Sequence, residues 1–429
     1  MRKLPEKAVR IGFALMVLSL MIGLMGCEDG KGASETRTPT YDLTFVSSST
    51  GLPTEGQWRE SIGFHDMNLD GHLDILATPP RASVPINGKI ALPRIWYGNG
   101  KGEWSRADIK VPESGIKYSY GGICGGDFDG DGIPDMALAM HKIGVRVLKG
   151  KGNGEYSDFS KPLQRVDFMS RALLDGDFDG DGSLDIVAVA EAKFGNEFSK
   201  PRGPAIIDRN SGMWRFRYIA EKKASKLYAD EISRGDINGD GKLDFAVGCM
   251  LLWRTQVVWL NDGKGRFSAF NEGLMKDVVY RSVALSDVNG DGKDDLVACV
   301  GGSGRDGFAG IKVFISGDDG FQDSSKGLPE KEPFYAVAAG DLDKDGTMEI
   351  IGATVIGGIK IYGLKGSEWI ELKVAGLPVD SLYQPFGVYC VDVNADGYGD
   401  IGINYSNYKT DVGGIQVFLN VPKSKGLEK

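Results

Sequence analysis

Short apolar runs alternate with acidic, glycine-rich turns along almost the whole chain. The runs at 184–190, 243–249 and 348–355 are seven or eight residues long and rich in Ile, Val and Ala. Runs of this length bounded by turn residues are typical of buried strands, and no helical period adjoins the turns. The pattern therefore predicts an all-β protein made of many short strands.

A nine-residue acidic motif separates these strands seven times. It occupies residues 66–74, 127–135, 177–185, 236–244, 287–295, 341–349 and 392–400, so its starts lie 50 to 61 residues apart. Each repeat has one apolar run before the motif, two after it, and a fourth that begins with an aromatic residue. Four strands in about 50 residues, repeated seven times, predict a seven-bladed β-propeller.

The two ends of the chain complement each other. The seventh repeat stops after its third strand, at 415–420, whereas Thr44, Phe45 and Val46 supply an aromatic strand at the front. Phe45 precedes the first motif by 21 residues, within the range of 20 to 23 in the other repeats. We therefore expect the N-terminal strand to complete the seventh blade and close the ring. An open solenoid, whose ends need not match, is the alternative.

The acidic motif has the donor pattern of a Ca²⁺ loop. Positions 1, 3 and 5 are always Asp or Asn, position 6 is always Gly, and position 9 is Asp or Glu. Hard oxygen ligands suit Ca²⁺, the backbone carbonyl of position 7 adds another, and glycine permits the sharp turn. Position 12 is never Glu and the flanks are β-rich, which excludes an EF-hand.

We number the loops 1 to 7 in chain order and predict up to seven Ca²⁺ ions. The predicted ligands of loops 1 to 3 are Asp66, Asn68, Asp70, His72 and Asp74; Asp127, Asp129, Asp131, Ile133 and Asp135; and Asp177, Asp179, Asp181, Ser183 and Asp185. Those of loops 4 and 5 are Asp236, Asn238, Asp240, Lys242 and Asp244; and Asp287, Asn289, Asp291, Lys293 and Asp295. Those of loops 6 and 7 are Asp341, Asp343, Asp345, Thr347 and Glu349; and Asp392, Asn394, Asp396, Tyr398 and Asp400. Polar turns without an ion are the alternative, and Lys344 with Glu349 makes loop 6 the most atypical.

The acidic loops account for the charge of the chain. It has 429 residues, 50 basic and 59 acidic side chains and a net charge of −9, which argues against a nucleic-acid partner. Seven Ca²⁺ ions would offset this charge, so the acidity reflects ligands rather than partners. A hydrophobic content of 41% excludes global disorder. We expect a monomer.

Residues 1–26 have the pattern of an export signal. A basic head precedes an apolar run that ends at Leu24, Met25, Gly26 and Cys27, which resembles a bacterial lipobox with Cys27 as the lipidated residue. An ordinary signal peptide with a chance cysteine is the alternative. Residues 27–40 predict a flexible tether, 41–421 the propeller and 422–429 a polar tail. We expect an exported protein, anchored on the periplasmic or cell-surface side.

The motifs resemble FG-GAP/VCBS repeats, the family that includes the N-terminal propeller of integrin α subunits. The resemblance covers about residues 41–421, rests on the Asp loops and includes one clear FG pair, Phe386-Gly387. It implies a propeller with Ca²⁺ between the first and second strands of each blade. Some polysaccharide lyases look like similar propellers.

The two faces of such a ring differ. Turns in a blade alternate between faces, so the second-to-third connections lie opposite the calcium loops, and they vary most in length, as at 78–93, 191–204, 301–310 and 404–414. Variable loops on a rigid scaffold tend to carry function. We therefore expect a binding or adhesion module with a glycan or protein ligand on that face, or, failing a ligand, a purely architectural role.

A polysaccharide-active, lyase-like enzyme is the alternative function. Its site would be the mouth of the central channel, where Arg59, Arg171 and Arg281 precede their acidic loops and suit carboxylates or sulfates. Ion pairs with Glu60 or Asp230 are the competing explanation for these arginines. Aromatic residues precede the first strands as well and either ring the mouth or pack between blades: Trp58, Tyr118, Phe168, Tyr228, Tyr280, Tyr335 and Tyr383. No catalytic residue is predicted. Cys124, Cys249, Cys299 and Cys390 permit disulfides or free buried thiols.

Overall fold

The computed structural model describes most of the predicted propeller. The described residues are 42–81, 91–113, 118–141, 143–161, 163, 168–190, 203–210, 212–219, 229–249, 256–302, 308–379, 383–407, 410 and 412–421. The predicted signal, Cys27, the tether, the polar tail and Tyr228 lie outside them. All regular elements in the described part are β-strands. A search of the same part for a helix of membrane-spanning length and hydropathy finds none.

The strands form seven small sheets, numbered as blades 1 to 7, in which the first strand is innermost. Neighbouring strands are antiparallel except at the outer edge of blade 7. Blades 1 to 3 consist of β2 (Gly63–His65), β3 (Asp74–Ala77), β4 (Arg94–Gly98) and β5 (Trp104–Arg106); β6 (Ile123–Gly126), β7 (Asp135–Met140), β8 (Gly144–Gly150) and β9 (Tyr156–Asp158); and β10 (Ser170–Gly176), β11 (Asp185–Ala190), β12 (Ala205–Asn210) and β13 (Met213–Tyr218). Blades 4 to 6 consist of β14 (Ala229–Gly235), β15 (Asp244–Cys249), β16 (Val258–Asn261) and β17 (Phe267–Ala269); β18 (Val279–Ser286), β19 (Asp295–Gly301), β20 (Phe308–Gly317) and β21 (Gly320–Asp323); and β22 (Phe334–Gly340), β23 (Glu349–Thr354), β24 (Ile359–Lys365) and β25 (Glu368–Glu371). Blade 7 consists of β27 (Gln384–Val391), β28 (Asp400–Ser406), β29 (Gly413–Asn420), β1 (Leu43–Ser47) and β26 (Val374–Ala375).

The hydrophobic core is divided among the interfaces between neighbouring blades. Seven apolar clusters of described residues lie between successive blades, one at each interface. At the interface that closes the ring, Trp58 and Trp96 of blade 1 share a cluster with Ile415 and Val417 of blade 7. The ring is therefore closed, as predicted, and the solenoid alternative is wrong.

The N-terminal strand completes blade 7, as the chain ends predicted. β1 pairs antiparallel with β29, and Phe45 lies opposite Asn420. The amide of Ser48 donates to the carbonyl of Val417 at 2.8 Å. The short parallel strand β26, which the sequence did not indicate, pairs with the outer edge of β1. This pairing covers the edge that a four-stranded blade would leave open.

Five of the seven innermost strands contain a β-bulge near their first residues. The register shifts at Arg171 in β10, at Arg281 in β18, at Tyr335 in β22 and at Phe386 in β27, and β14 has the same shift after Ala229. A bulge adds one residue and reverses the alternation of side chains beyond it. The sequence pattern alone did not reveal these shifts.

Among the described residues, the four cysteines form no disulfide with one another. Cys124, Cys249 and Cys299 are buried and Cys390 is half-buried. Burial raises the pKa of the Cys124 and Cys299 thiols well above the ordinary value. These residues therefore pack as small apolar side chains.

Candidate functional site

All seven acidic loops lie between the first and second strands of their blades, on one face of the ring. In loop 1, the Asp66 carboxylate accepts hydrogen bonds from the amides of Asp70 at 3.1 Å and Gly71 at 2.8 Å. The position-1 carboxylate binds the position-6 amide in every described loop. The position-6 glycines have φ between 78° and 89°, which L side chains rarely adopt. The motif therefore folds back on its own first residue.

The position-9 carboxylate connects each loop to the core. Asp74, Asp135, Asp185, Asp244, Asp295, Glu349 and Asp400 are at most 3% exposed. In loop 1, Asp74 accepts hydrogen bonds from the amide of Met67 at 2.8 Å and from that of Gly98, on the third strand, at 2.9 Å. The Met67 side chain is buried as well. Position 9 therefore holds both halves of the hairpin against the sheet.

Burial and mutual repulsion change the acidity of these groups. Desolvation, with a smaller contribution from neighbouring carboxylates, raises the pKa of Asp135, Asp185, Asp244 and Asp295 to about 7. The pKa of Glu349 is likewise raised to about 7, while Asp74 and Asp400 reach about 6. In the absence of a cation, the loops therefore hold protons close to neutral pH.

The carboxylates converge as a cation site requires. In loops 2, 3 and 6, carboxylate oxygens of positions 1, 3 and 9 lie within 4.8 Å of one another. In loop 2, Asp129 Oδ1 is buried and accepts no hydrogen bond from the described residues. The other four loops have Asn at position 3, which offers an amide oxygen instead. This donor set fits a hard divalent cation, which would neutralise the repulsion and join the two halves of each loop. The identity of the ion and of each ligand stays a prediction.

Loop 2 contains a lysine that the sequence analysis did not single out. The Lys149 ammonium, on β8, contacts the carboxylates of Asp129 and Asp131, the latter at 2.7 Å. These hydrogen bonds raise the pKa of Lys149. In the register of the sheet, the same place is occupied by Tyr97 in blade 1 and by Asp208 in blade 3. In loop 2 one ammonium therefore pairs with two predicted ligands, whereas in loop 4 Lys242 pairs with Asp240 at 2.9 Å.

Two asparagines connect loops of neighbouring blades. The Asn261 side-chain amide donates to the carbonyl of Phe178 in loop 3 at 2.7 Å and to that of Leu243 in loop 4 at 3.1 Å. Asn420 makes the same pair of contacts between loops 6 and 7, donating to Leu342 at 2.6 Å. An ion that orders one of these loops would therefore also restrain the asparagine side chain that is hydrogen-bonded to the neighbouring loop.

The residues predicted for the channel mouth divide into two groups. Trp58, Phe168 and Tyr280 are buried in the clusters between blades, so packing explains them. Three other predicted residues, Arg171, Arg281 and Tyr335, lie at the bulges of their first strands, as does Phe386. Two of these, Tyr335 and Phe386, have ring centroids 4.9 Å apart. We call the resulting set the mouth belt: Arg59, Tyr120, Arg171, Arg281, Tyr335 and Phe386.

The arginines of the mouth belt stack on rings or pair with an acid. The guanidinium Cζ of Arg281 lies 4.1 Å from the ring centroid of Tyr335. The guanidinium Cζ of Arg59 lies 5.5 Å from the ring centroid of Phe386. Arg171 pairs with Glu60 at 3.3 Å, which confirms the ion-pair explanation for that residue. Arg171 is 5% and Arg281 6% exposed, so neither is open to a substrate from solvent. The Asp230 side chain lies outside the described residues.

Comparisons with known proteins agree with this architecture. Residues 127–188, 236–298 and 287–352 match the family model described as FG-GAP-like repeat, and each match begins at the first residue of an acidic loop. The closed ring of seven sheets is a seven-bladed β-propeller, and these stretches of it are similar to FG-GAP-like repeats. No curated protein matches the sequence.

Solved structures share the fold. The chain is similar to BBS1N in a crystal structure of BBS1N in complex with ARL6DN, soaked with mercury. The similarity covers 89% of this chain and 98% of that chain, with 10% sequence identity and a TM-score of 0.53. At that identity the likeness shows the fold alone. In total 383 chains of known structure match, so the fold by itself selects no ligand.

Proposed function

We propose that this chain is a calcium-stabilised, extracytoplasmic lipoprotein whose propeller binds a glycan or protein ligand. The observation that carries the proposal is the difference between the two faces. One face holds seven short hairpins fixed by buried carboxylates at position 9. The other holds the ends of second strands and the starts of third strands, such as Ala77 and Arg94, and the sequences between them vary most in length. A rigid face and a variable face together suit a binding module.

The proposed location and the proposed ion support each other. Cys27, at the end of the predicted export signal, would anchor the chain outside the cytoplasm. Extracellular calcium modules bind the ion with dissociation constants of roughly 10⁻⁴ to 10⁻³ M. Metabolic labelling with a palmitate analogue would test the anchor. We expect labelling of the wild type and none of Cys27→Ser.

The proposed function is tested by measuring whether the calcium-loaded full-length protein binds glycans or proteins. A glycan array and a cell-surface pull-down should give saturable binding. Chelation should weaken this binding, since it loosens the scaffold under the variable face. Arg266→Gln, on the calcium face, should leave binding unchanged, because Arg266 is exposed and pairs only locally with Asp262 at 2.6 Å. Absence of any retained glycan or protein would refute the binding function.

The polysaccharide-active enzyme stays the second candidate and is less well supported. The mouth belt fills its predicted site with stacked and paired side chains. A uronate-release assay on acidic polysaccharides separates the two functions. Binding without product supports the binding module, and turnover would establish the enzyme.

A further inference from the structure

A cleft of about 250 Å³ opens at the periphery of blade 1. It is lined by Leu92, Pro93, Arg94, Arg106, Ala107, Asp108 and Ile109. Arg94 is the first residue of β4 and Arg106 is the last residue of β5. Those strand ends lie on the face opposite the calcium loops, so the cleft belongs to the variable face.

Two guanidinium groups, those of Arg94 and Arg106, line this cleft. Within the residues that the structure describes, neither Arg94 nor Arg106 forms an ion pair. Arg94 is half-buried, with its guanidinium 5.2 Å from the centroid of the Trp58 ring. Burial, and secondly the charge of Arg106, lower the pKa of Arg94. The stacking fixes one cation, and an anion would relieve the repulsion between the two.

The remaining lining restricts the ligand further. Asp108 is exposed and only accepts hydrogen bonds when ionised, so it repels a second anionic group and suits hydroxyl donors. Leu92, Pro93, Ala107 and Ile109 offer an apolar surface to C–H groups. One oxyanion, several hydroxyls and an apolar ring face occur together in an acidic sugar.

We propose that the Arg94–Arg106 cleft binds an acidic sugar residue through its carboxylate or sulfate group. Arg94 and Arg106 hold the oxyanion, and Asp108 accepts from a ring hydroxyl. The inference rests on the proposed binding function and gives it a site and a ligand class. It requires no catalytic step.

The test is a titration of the calcium-loaded full-length protein with four probes: glucuronate, glucose 6-sulfate, glucose and glutarate. We expect glucuronate or glucose 6-sulfate to bind saturably and glucose and glutarate to bind at least tenfold more weakly. Arg106→Gln should weaken binding roughly tenfold or more, because one charge-assisted hydrogen-bonding group is lost. Arg106 is exposed, so this variant retains the fold. Arg94→Lys keeps the charge but loses the planar fork and should weaken binding as well.

Arg266→Gln is the matched control, since it removes an exposed arginine from the other face. Equal affinity of wild type and Arg106→Gln would overturn the inference, as would equal binding of glutarate and glucuronate. If an immobilised glycan or protein bound wild type and Arg106→Gln equally, the cleft would be refuted and the binding function would stand. If the wild type bound neither the four probes nor any glycan or protein, both the acidic-sugar site and the binding function would be refuted.

Discussion

At the residue scale, four glycines permit close contact between neighbouring blades. Gly51, Gly273, Gly327 and Gly376 have φ between 82° and 95°. A Cβ atom on any of them would overlap the carbonyl oxygen of the aromatic residue in the outer strand of the next blade: Trp104, Phe321, Trp369 and Phe45 in turn. The glycines and the aromatic residues are visible in the sequence. The contact between them is not, because it forms only when neighbouring blades pack together in the propeller.

Substitution of Gly327 should therefore be costly. We expect Gly327→Ala to lower the free energy of unfolding by about 3 kcal/mol, because strain at positive φ adds to the overlap with Trp369. Gly366 also has positive φ, at 66°, but its surroundings are open. Gly366→Ala should cost about 1 kcal/mol, the conformational part alone. Denaturant unfolding measures both, and equal losses would contradict the steric explanation.

Lys149 should weaken calcium binding in loop 2. Its ammonium contacts two predicted ligands, so it compensates their charge without an ion and repels a divalent cation. We expect Lys149→Met to tighten one calcium site roughly tenfold, equivalent to about 1.4 kcal/mol. The control is Lys360→Met, which removes a third-strand lysine that pairs with Glu332 and Glu371 instead. Calorimetric titration that found unchanged or weaker calcium binding in Lys149→Met would contradict this role.

At the element scale, the sequence predicted the blades but not their bulges. The acidic motif and the aromatic outer strand have fixed chemistry at fixed places, so both are visible as a repeat. The bulge at Arg171, Arg281, Tyr335 and Phe386 is a change of pairing, which no single residue type encodes. A bulge reverses the alternation of side chains beyond it. Trp58, Phe168 and Tyr280 pack between blades, which is one of the two possibilities that the sequence left open for the aromatic residues.

The acidic loops should give the metal-free ring an unusual pH dependence. Their position-9 carboxyls have pKa values raised to about 6 or 7, against about 4 in an unfolded chain. The metal-free folded state thus binds more protons, and its stability falls as the pH rises through 6 and 7. Calcium requires the deprotonated groups, so its stabilising effect should grow over the same interval.

Thermal melts at pH 5.5 and pH 8 measure both effects. In chelator we expect the higher Tm at pH 5.5, and in excess calcium the gain in Tm should be larger at pH 8. Asp135→Asn should reduce both the change of the metal-free Tm with pH and the change of the calcium-induced gain in Tm with pH. Asp318→Asn, at an exposed carboxylate paired with Lys293, should leave them unchanged. A metal-free Tm that rose with pH would contradict the raised pKa values.

At the scale of the whole molecule, the ring is a cycle of seven similar interfaces. Each has its own apolar cluster, and the closing one depends on a strand from the other end of the chain. Indole donors reinforce three of the interfaces: Trp104 donates to Ser48 at 2.8 Å, and Trp214 and Trp369 donate to Phe159 and Ser324 at 2.9 Å. Closure was predictable from the matching chain ends. The indole bonds were not, because they join residues about 50 positions apart.

The acidic charge of the seven loops is the main reason to expect that calcium stabilises the ring. The acidic loops bring carboxylate oxygens within 4.8 Å of one another in loops 2, 3 and 6, and asparagine contacts connect loop 3 with loop 4 and loop 6 with loop 7. Binding to the folded state alone stabilises it by mass action. Several ions should therefore act on one cooperative structure.

The most direct test is elemental analysis of the purified full-length protein after removal of free metal, paired with a thermal melt in excess chelator. We expect calcium bound at several equivalents, up to seven per chain, and a Tm lower by about ten degrees or more once it is removed. A protein that retained no alkaline-earth ion and melted at the same temperature with and without chelator would contradict the account.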